Sequence, residues 1–279
     1  MIGNVNQEKI VENNRGKKNT AICSRFLKWV RLNRVLLSSV IGGLLLWEIA
    51  ALIINDPFLF ASLSDVFQSL WQLSASGELW KHILASSTSF TLGFLLSIAV
   101  GVIVGFLMGS IRTIGNTLNP WVYALYCAPL VALMPYFIIL FGIGLTTHVV
   151  LVFTVAVFPI LMNTYAGVRS IEEQYFDVAK SFNANRVQIV TKVLVPASLS
   201  YIVTGLRLGV GRGLTGVVVA EVFVSNAGVG FMINSAGQRF DVPVLFSGIL
   251  IFVIAGLILM GVLGYLERRL APYRFLEKG

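Results

Sequence analysis

The chain is 279 residues long, 56% apolar and only 12% charged, against about 25% charged in an average soluble domain. Several apolar runs approach or exceed the roughly 20 residues needed to cross a bilayer, which excludes a soluble globular domain and reads as an all-α polytopic membrane protein. A net charge of +8 would point a soluble protein toward nucleic acid; here the positions of the charges point to a lipid bilayer and no nucleic acid.

Residues 1–34 are polar and basic, with Lys9, Arg15, Lys17, Lys18, Arg25, Lys28, Arg31 and Arg34. The first apolar run, Val35–Ile54, is longer than a signal-peptide core and no small-residue cleavage site follows it. The expectation is a cytoplasmic tail and a retained first span containing Glu48, ended at Asp56-Pro57. Leu63, Val66, Phe67, Leu70 and Leu73 recur at helical spacing, with Ser62 or Ser64 placed to cap. That predicts an amphipathic helix at the outer interface, where Trp71 and Trp80 suit the aromatic belt.

Span 2 is predicted over Phe90–Met108 and carries Gly101, Gly105 and Gly109 four apart, a smooth face for close helix packing. Arg112 marks a short inner loop. Span 3, Trp121–Ile143, contains Pro129 and Pro135; each removes a backbone donor, so the span is predicted bent and buried, lining a path or simply packing irregularly. Span 4 covers Val149–Val168 with Pro159 and Asn163. Span 5 covers Ile202–Phe223 and span 6 Val244–Leu266, with residues 224–243 between them predicted as a Gly- and Asn-containing outer loop.

Six spans put both termini on one side. Seventeen of the 21 Lys and Arg then face that side, which the positive-inside rule makes cytoplasmic. The predicted organisation is a basic tail (1–34), one transmembrane domain (35–270) and a C-terminal cytoplasmic tail (271–279). Cys23 and Cys127 fall in the tail and a span, so no disulfide is expected; with the distant His82 and His148 they make no metal set.

Residues 170–196 form a polar, basic segment between apolar spans. Ser170-Ile171-Glu172-Glu173 reads as a capping box starting a helix that runs to about Phe182. Asn183 sits where a left-handed residue would end that helix. Asn185, with Gln188 three residues on, is placed to cap a second helix running toward Pro196. One reading is a solvated loop kept tidy by its caps; the other is a rigid knob for a partner protein.

The spacing Asp177-Val178-Ala179, three residues, Asn183, nine residues, Val193-Leu194-Val195-Pro196 resembles the EAA loop, E-A-A-x3-G-x9-I-x-L-P, of the permease subunits of ATP-binding-cassette importers. Asp177 stands for Glu, Val178 for the first Ala and Asn183 for Gly. Gly77-Glu78-Leu79-Trp80, Pro129-Leu130 with Met134-Pro135, Phe141-Gly142-Ile143-Gly144, Gly205-Leu206-Arg207, and Val218-Val219-Ala220-Glu221 with Gly228-Val229-Gly230 are similar to the branch serving nitrate, sulfonate, taurine and bicarbonate. The resemblance implies a type I importer permease fold of six transmembrane helices in a bacterial inner membrane. It also implies a cytoplasmic coupling helix, a second permease copy, two cytoplasmic ATPase subunits and an extracytoplasmic solute-binding protein. In that reading Asp177, Val178, Ala179, Lys180, Phe182, Asn183, Ala184 and Arg186 meet the ATPase. The small Ala179 and Ala184 allow close approach, and Phe182 is the candidate anchor.

No Walker A sequence occurs, and the glycine run 209–216 lacks the Lys-Ser/Thr ending. Gly205, Gly209 and Gly213 read instead as a helix-packing face. The chain is therefore expected to be no enzyme and to hold no cofactor, with ATP and Mg²⁺ bound by partner subunits. Tyr126, Pro129 and Met134 in span 3, with Arg212 and Glu221 in span 5, are the candidate lining of a translocation path. A charge at the bilayer centre costs roughly 2.5–3.5 kcal/mol on insertion scales. Arg207 and Arg212 either draw an anionic solute or pair with carboxylates on other helices, and the place of Arg207 near the inner end favours pairing. The solute reads as a sulfonate-, taurine- or nitrate-type anion, with a pyrimidine vitamin precursor or riboflavin as the alternative. Glu48 and Glu221 leave an ion-driven transporter as a second class of rival.

Overall fold

The computed structural model describes residues 34–56 and 58–270, so the predicted terminal tails, Arg34 excepted and Cys23 included, lie outside the described residues. Among the described residues the ordered elements are helices: α1 Arg34–Ile54, α2 Leu63–Ala75, α3 Glu78–Ser110, α4 Arg112–Cys127, a 3-10 turn Leu130–Leu133, α5 Met134–Phe141, α6 Leu145–Arg169, α7 Glu173–Ser181, α8 Arg186–Ile189, a π-turn Val190–Leu194, α9 Val195–Val224, α10 Val229–Gln238 and α11 Val242–Leu270. Two compact units divide the chain, residues 1–65 and 66–279.

In the first unit, α1 ends at Ile54 and a short turn follows. Trp47 donates its indole N–H to the Ala61 carbonyl at 3.0 Å. Glu48 Oε2 accepts from the Leu63 backbone N–H at 3.0 Å, one of the donors a helix start leaves without an intrahelical partner. The acid in the first apolar run is therefore used as a helix cap. Ser62 adds the predicted cap, its hydroxyl accepting from the Asp65 N–H at 3.2 Å.

The second unit is built on α3, α6 and α9. Their common core joins Phe90 and Phe94, stacked at 5.1 Å, to Val152, Ala156, Ile160, Val210 and Val217. The glycine stripe of α3 lies on α6 in the same chain direction, Gly93 against Val152, Gly101 against Ile160 and Gly109 against Val168. A Cβ at Gly105 would stand 2.5 Å from the Leu161 carbonyl oxygen, so only glycine permits that approach. α9 packs on α6 in the antiparallel sense, Gly205 meeting Asn163 and Gly209 meeting Ile160. Both glycine stripes are packing faces, as read from the sequence.

Four helices among the described residues are long and apolar enough to cross a bilayer: α3, α6, the Arg186–Phe223 helix and α11. A fifth crossing is made if α4 and the Leu130–Phe141 segment count as one span, bent by 80°. The predicted bend is present, but the predicted burial is not, with Trp121, Tyr136, Ile139 and Ile143 exposed, and the cause of the bend is narrower than expected. The chain leaves helical geometry at Ala128 (φ −66°, ψ 143°) and Pro129 (φ −75°, ψ 71°). Pro135 opens α5 in the first helical turn, where its missing N–H costs nothing.

Three boundaries differ from the sequence reading. α3 begins at Glu78, twelve residues before Phe90, and its first turns bury His82 and Ser86, which accept from the Gly228 and Val229 N–H groups. Span 5, predicted over Ile202–Phe223, is the end of a longer element: residues 186–223 form one 38-residue helix that takes in the predicted second helix of the loop. The π-turn, with Val195 N–H donating to the Val190 carbonyl, widens the helix where a proline ring would strike the preceding turn. Half of the predicted outer loop 224–243 is the helix α10.

Candidate functional site

Most residues of the 170–196 segment are exposed. Ser170 does not form the predicted capping box. Its hydroxyl donates to Gly167 O at 2.9 Å and closes α6, so α7 starts three residues later, after Glu172, with no side-chain cap. Glu173 in its first turn instead meets Arg112 at 3.1 Å, both side chains well exposed. The C-terminus of α7 forms as predicted. Asn183 takes φ 52°, its N–H donates to Lys180 O at 2.8 Å, and the Ala184 N–H donates to Ala179 O at 3.0 Å. This pair of bonds is a Schellman motif. It gives the spacing of Ala179, Asn183 and Ala184 a backbone cause.

Asn185 then caps α8 reciprocally with Gln188, Oδ1 accepting from the Gln188 N–H and the Gln188 side chain accepting from the Asn185 N–H, each at 2.8 Å. Asp177 and Lys180 pair at 3.2 Å on the surface of α7. No residue of α7 is buried, and Phe182 is 83% exposed, with Val178, Val187 and Tyr175 exposed nearby. Arg186 is the exposed first residue of α8. The segment is a fixed pair of short helices presenting an apolar tip, joined without a break to the long helix α9.

The structure separates the five residues named as a path lining. Tyr126, Pro129 and Arg212 come together on one cavity of about 150 Å³, with Ala128, Leu130, Val131, Val155 and Phe158. Met134 is buried in a different cluster with Leu151 and Ala220. Glu221 is 1% exposed and sits at the start of α10, accepting from Ser86 Oγ and from the Gly230 N–H, each at 2.8 Å. Ser86 in turn accepts from the Val229 N–H at 2.8 Å, and His82 Nδ1 accepts from the Gly228 N–H at 3.0 Å. Three consecutive N–H groups at the α10 start are thus satisfied by side chains of α3 and α9. An acid there also suits the positive end of the helix dipole.

The other intramembrane charges resolve differently. Arg207 on α9 pairs with Glu267 on α11 at 2.6 Å, the pairing the sequence favoured. Arg212 lies five residues on, about 140° around the helix. It is exposed, and among the described residues no ion pair or hydrogen bond involves it. His82, Ser86 and Glu267 were not named from the sequence as partners. The run of hydroxyl residues Ser86 to Ser89 beside an apolar span was the one signal that could have marked the network.

Residues 97–272 match the family described as binding-protein-dependent transport system inner membrane component. The taurine transport system permease protein TauC of Escherichia coli (strain K12) is 32% identical over 265 residues, covering 91% of this chain and 96% of its own. A protein named for aliphatic sulfonate transport, SsuC of Bacillus subtilis (strain 168), is 33% identical, covering 86% and 84%. The riboflavin transport system permease protein RibX of Chloroflexus aurantiacus is 33% identical, covering 82% and 86%. In fold, the chain resembles a chain of the inward-facing MetNI methionine transporter, with TM-score 0.59 at 19% identity, over 69% of this chain and 95% of that one. With apolar spanning helices, an EAA-type loop and these matches, the chain belongs to the inner-membrane permease components of binding-protein-dependent ATP-binding-cassette importers.

Proposed function

We infer that this permease carries a small sulfonate-type anion inward and takes its power from separate ATPase subunits, which bind the ATP and Mg²⁺. In this reading two copies form the path, two ATPases grip the 173–186 segments, and an extracytoplasmic binding protein delivers the solute. The transmembrane domain spans 35–270, and α1 supplies the sixth crossing. Its 21 residues extend about 31 Å, the thickness of a bilayer core. Both termini then lie in the cytoplasm.

The observation that carries this reading is the exposed, Schellman-terminated α7 with Phe182 at its tip. An 83% exposed Phe next to two half-buried alanines is a surface awaiting an apolar groove. Asp177, Val178, Lys180, Asn183 and Arg186 surround it. Because α8 runs into α9 through the π-turn, a displacement of the docked loop is passed directly to the helix that carries Arg212. ATPase closure would tip α9 and switch the path between outward- and inward-open states.

Ala179→Arg tests the docking. The variant is expected to insert in the membrane normally and to lose the ATPase from a pull-down; undiminished association would overturn the assignment of α7. Similarity to a riboflavin permease supports a second reading for the solute. Accumulation of labelled taurine by cells carrying the whole transporter supports the sulfonate reading, and accumulation of riboflavin in its place supports the second.

A further inference from the structure

We propose that Arg212, Tyr126 and the helix break at Ala128–Pro129 form an intramembrane station for a small oxoanion of the alkylsulfonate class. The proposal rests on the permease reading and adds to it a specific place where the solute is held.

The contrast between two arginines on one helix is the starting point. Arg207 has its carboxylate, Glu267, at 2.6 Å. Arg212, about 7.5 Å further along the helix, is exposed and has no such partner among the described residues. It lies midway along the 195–224 helix, where lipid cannot solvate a guanidinium, so it faces protein or water. The cavity beside it is about 150 Å³, room for several waters or a solute of a few heavy atoms.

The chemistry of the lining selects the sign of the ligand. Besides Arg212, Tyr126 brings a phenol, and the remaining lining residues are Ala128, Pro129, Leu130, Val131, Val155 and Phe158. Among the described residues no carboxylate lines the cavity. A guanidinium offers a planar fork of donors that matches two oxygens of an oxoanion. The apolar side chains would accommodate a short alkyl stem. The broken helix leaves room for this arrangement, because the chain runs extended at Ala128 instead of filling the space with a further turn. The competing arrangement is a carboxylate of a second copy set against Arg212, which would cancel the charge.

A native reporter is already in place. Cys127 is exposed and lies between two lining residues, Tyr126 and Ala128. The test uses the full chain with Cys23→Ser, in membrane vesicles with its ATPase, with and without nucleotide. Modification of Cys127 is timed with 2-sulfonatoethyl methanethiosulfonate and with its trimethylammonium counterpart. The sulfonate reagent is expected to react faster relative to the cation. Arg212→Gln should reduce that ratio on the order of fivefold or more, and Arg212→Lys should largely retain it. A ratio indifferent to Arg212→Gln, or a Cys127 that neither reagent reaches, would overturn the station. ATPase pull-down from the same vesicles separates the two failures: an intact complex with no charge preference removes the station alone, and a missing ATPase removes the permease reading beneath it.

Discussion

Gly228 has φ 125° and lies against a buried acid: a Cβ there would stand 2.3 Å from Glu221 Cδ and 2.5 Å from each carboxylate oxygen. Two independent costs would therefore meet in Gly228→Ala, a backbone conformation that L side chains rarely adopt and a clash with a carboxylate fixed by Ser86 and the Gly230 N–H. Each is worth on the order of 1–3 kcal/mol. A loss of at least about 2 kcal/mol would lower the midpoint of thermal unfolding by about 4–8 °C in a chain of this size. The melting of purified protein in detergent checks this, and an unchanged midpoint would mean that α10 can shift away from Glu221 freely. Asn183 shows the milder version of the same constraint. It holds φ 52° at the position where the family pattern has Gly, and Asn is the side chain that tolerates this region with least strain.

At the scale of elements, what the sequence revealed and what it hid divide by the range of the interactions. The Schellman end of α7 and the reciprocal cap of α8 depend on residues within five positions of one another, so both could be read from local spacing. The glycine seams could be read because a four-residue repeat marks a helix face whatever it meets. α10 could not, since its first N–H groups are satisfied by His82, Ser86 and Glu221, two of them more than 140 residues away. By composition alone, its glycines and Asn234 argue for a loop. The capping box at Ser170 failed for the opposite reason: the local motif was present, but the hydroxyl had a nearer use in closing α6. The conformation of the 170–196 loop was thus largely legible. The cavity of Arg212 was legible only as a list of separate residues, because the bend that joins Tyr126 and Pro129 to α9 is a tertiary fact.

At the scale of the whole molecule, the count of crossings decides which side the 170–196 loop faces. With α1 and the bent α4–α5 pair each counted as one span, the crossings number six, and the N-terminal tail, the 173–186 segment and the C-terminal tail share one side. Without it, the tail bearing eight Lys and Arg before residue 35 would lie opposite the loop, against the charge rule that orients inner-membrane proteins. Single cysteines at Val5, Ser181 and Lys278, in a chain with Cys23 and Cys127 replaced, distinguish the two arrangements through an impermeant thiol reagent. All three should react in inside-out vesicles and stay protected in right-side-out ones. Protection of Val5 in the inside-out preparation would reduce the count to five and make α1 something other than a span. Reaction of Ser181 from outside would be more damaging, since a loop on that face meets no ATP and the continuous helix from α8 into α9 would have no motor to follow.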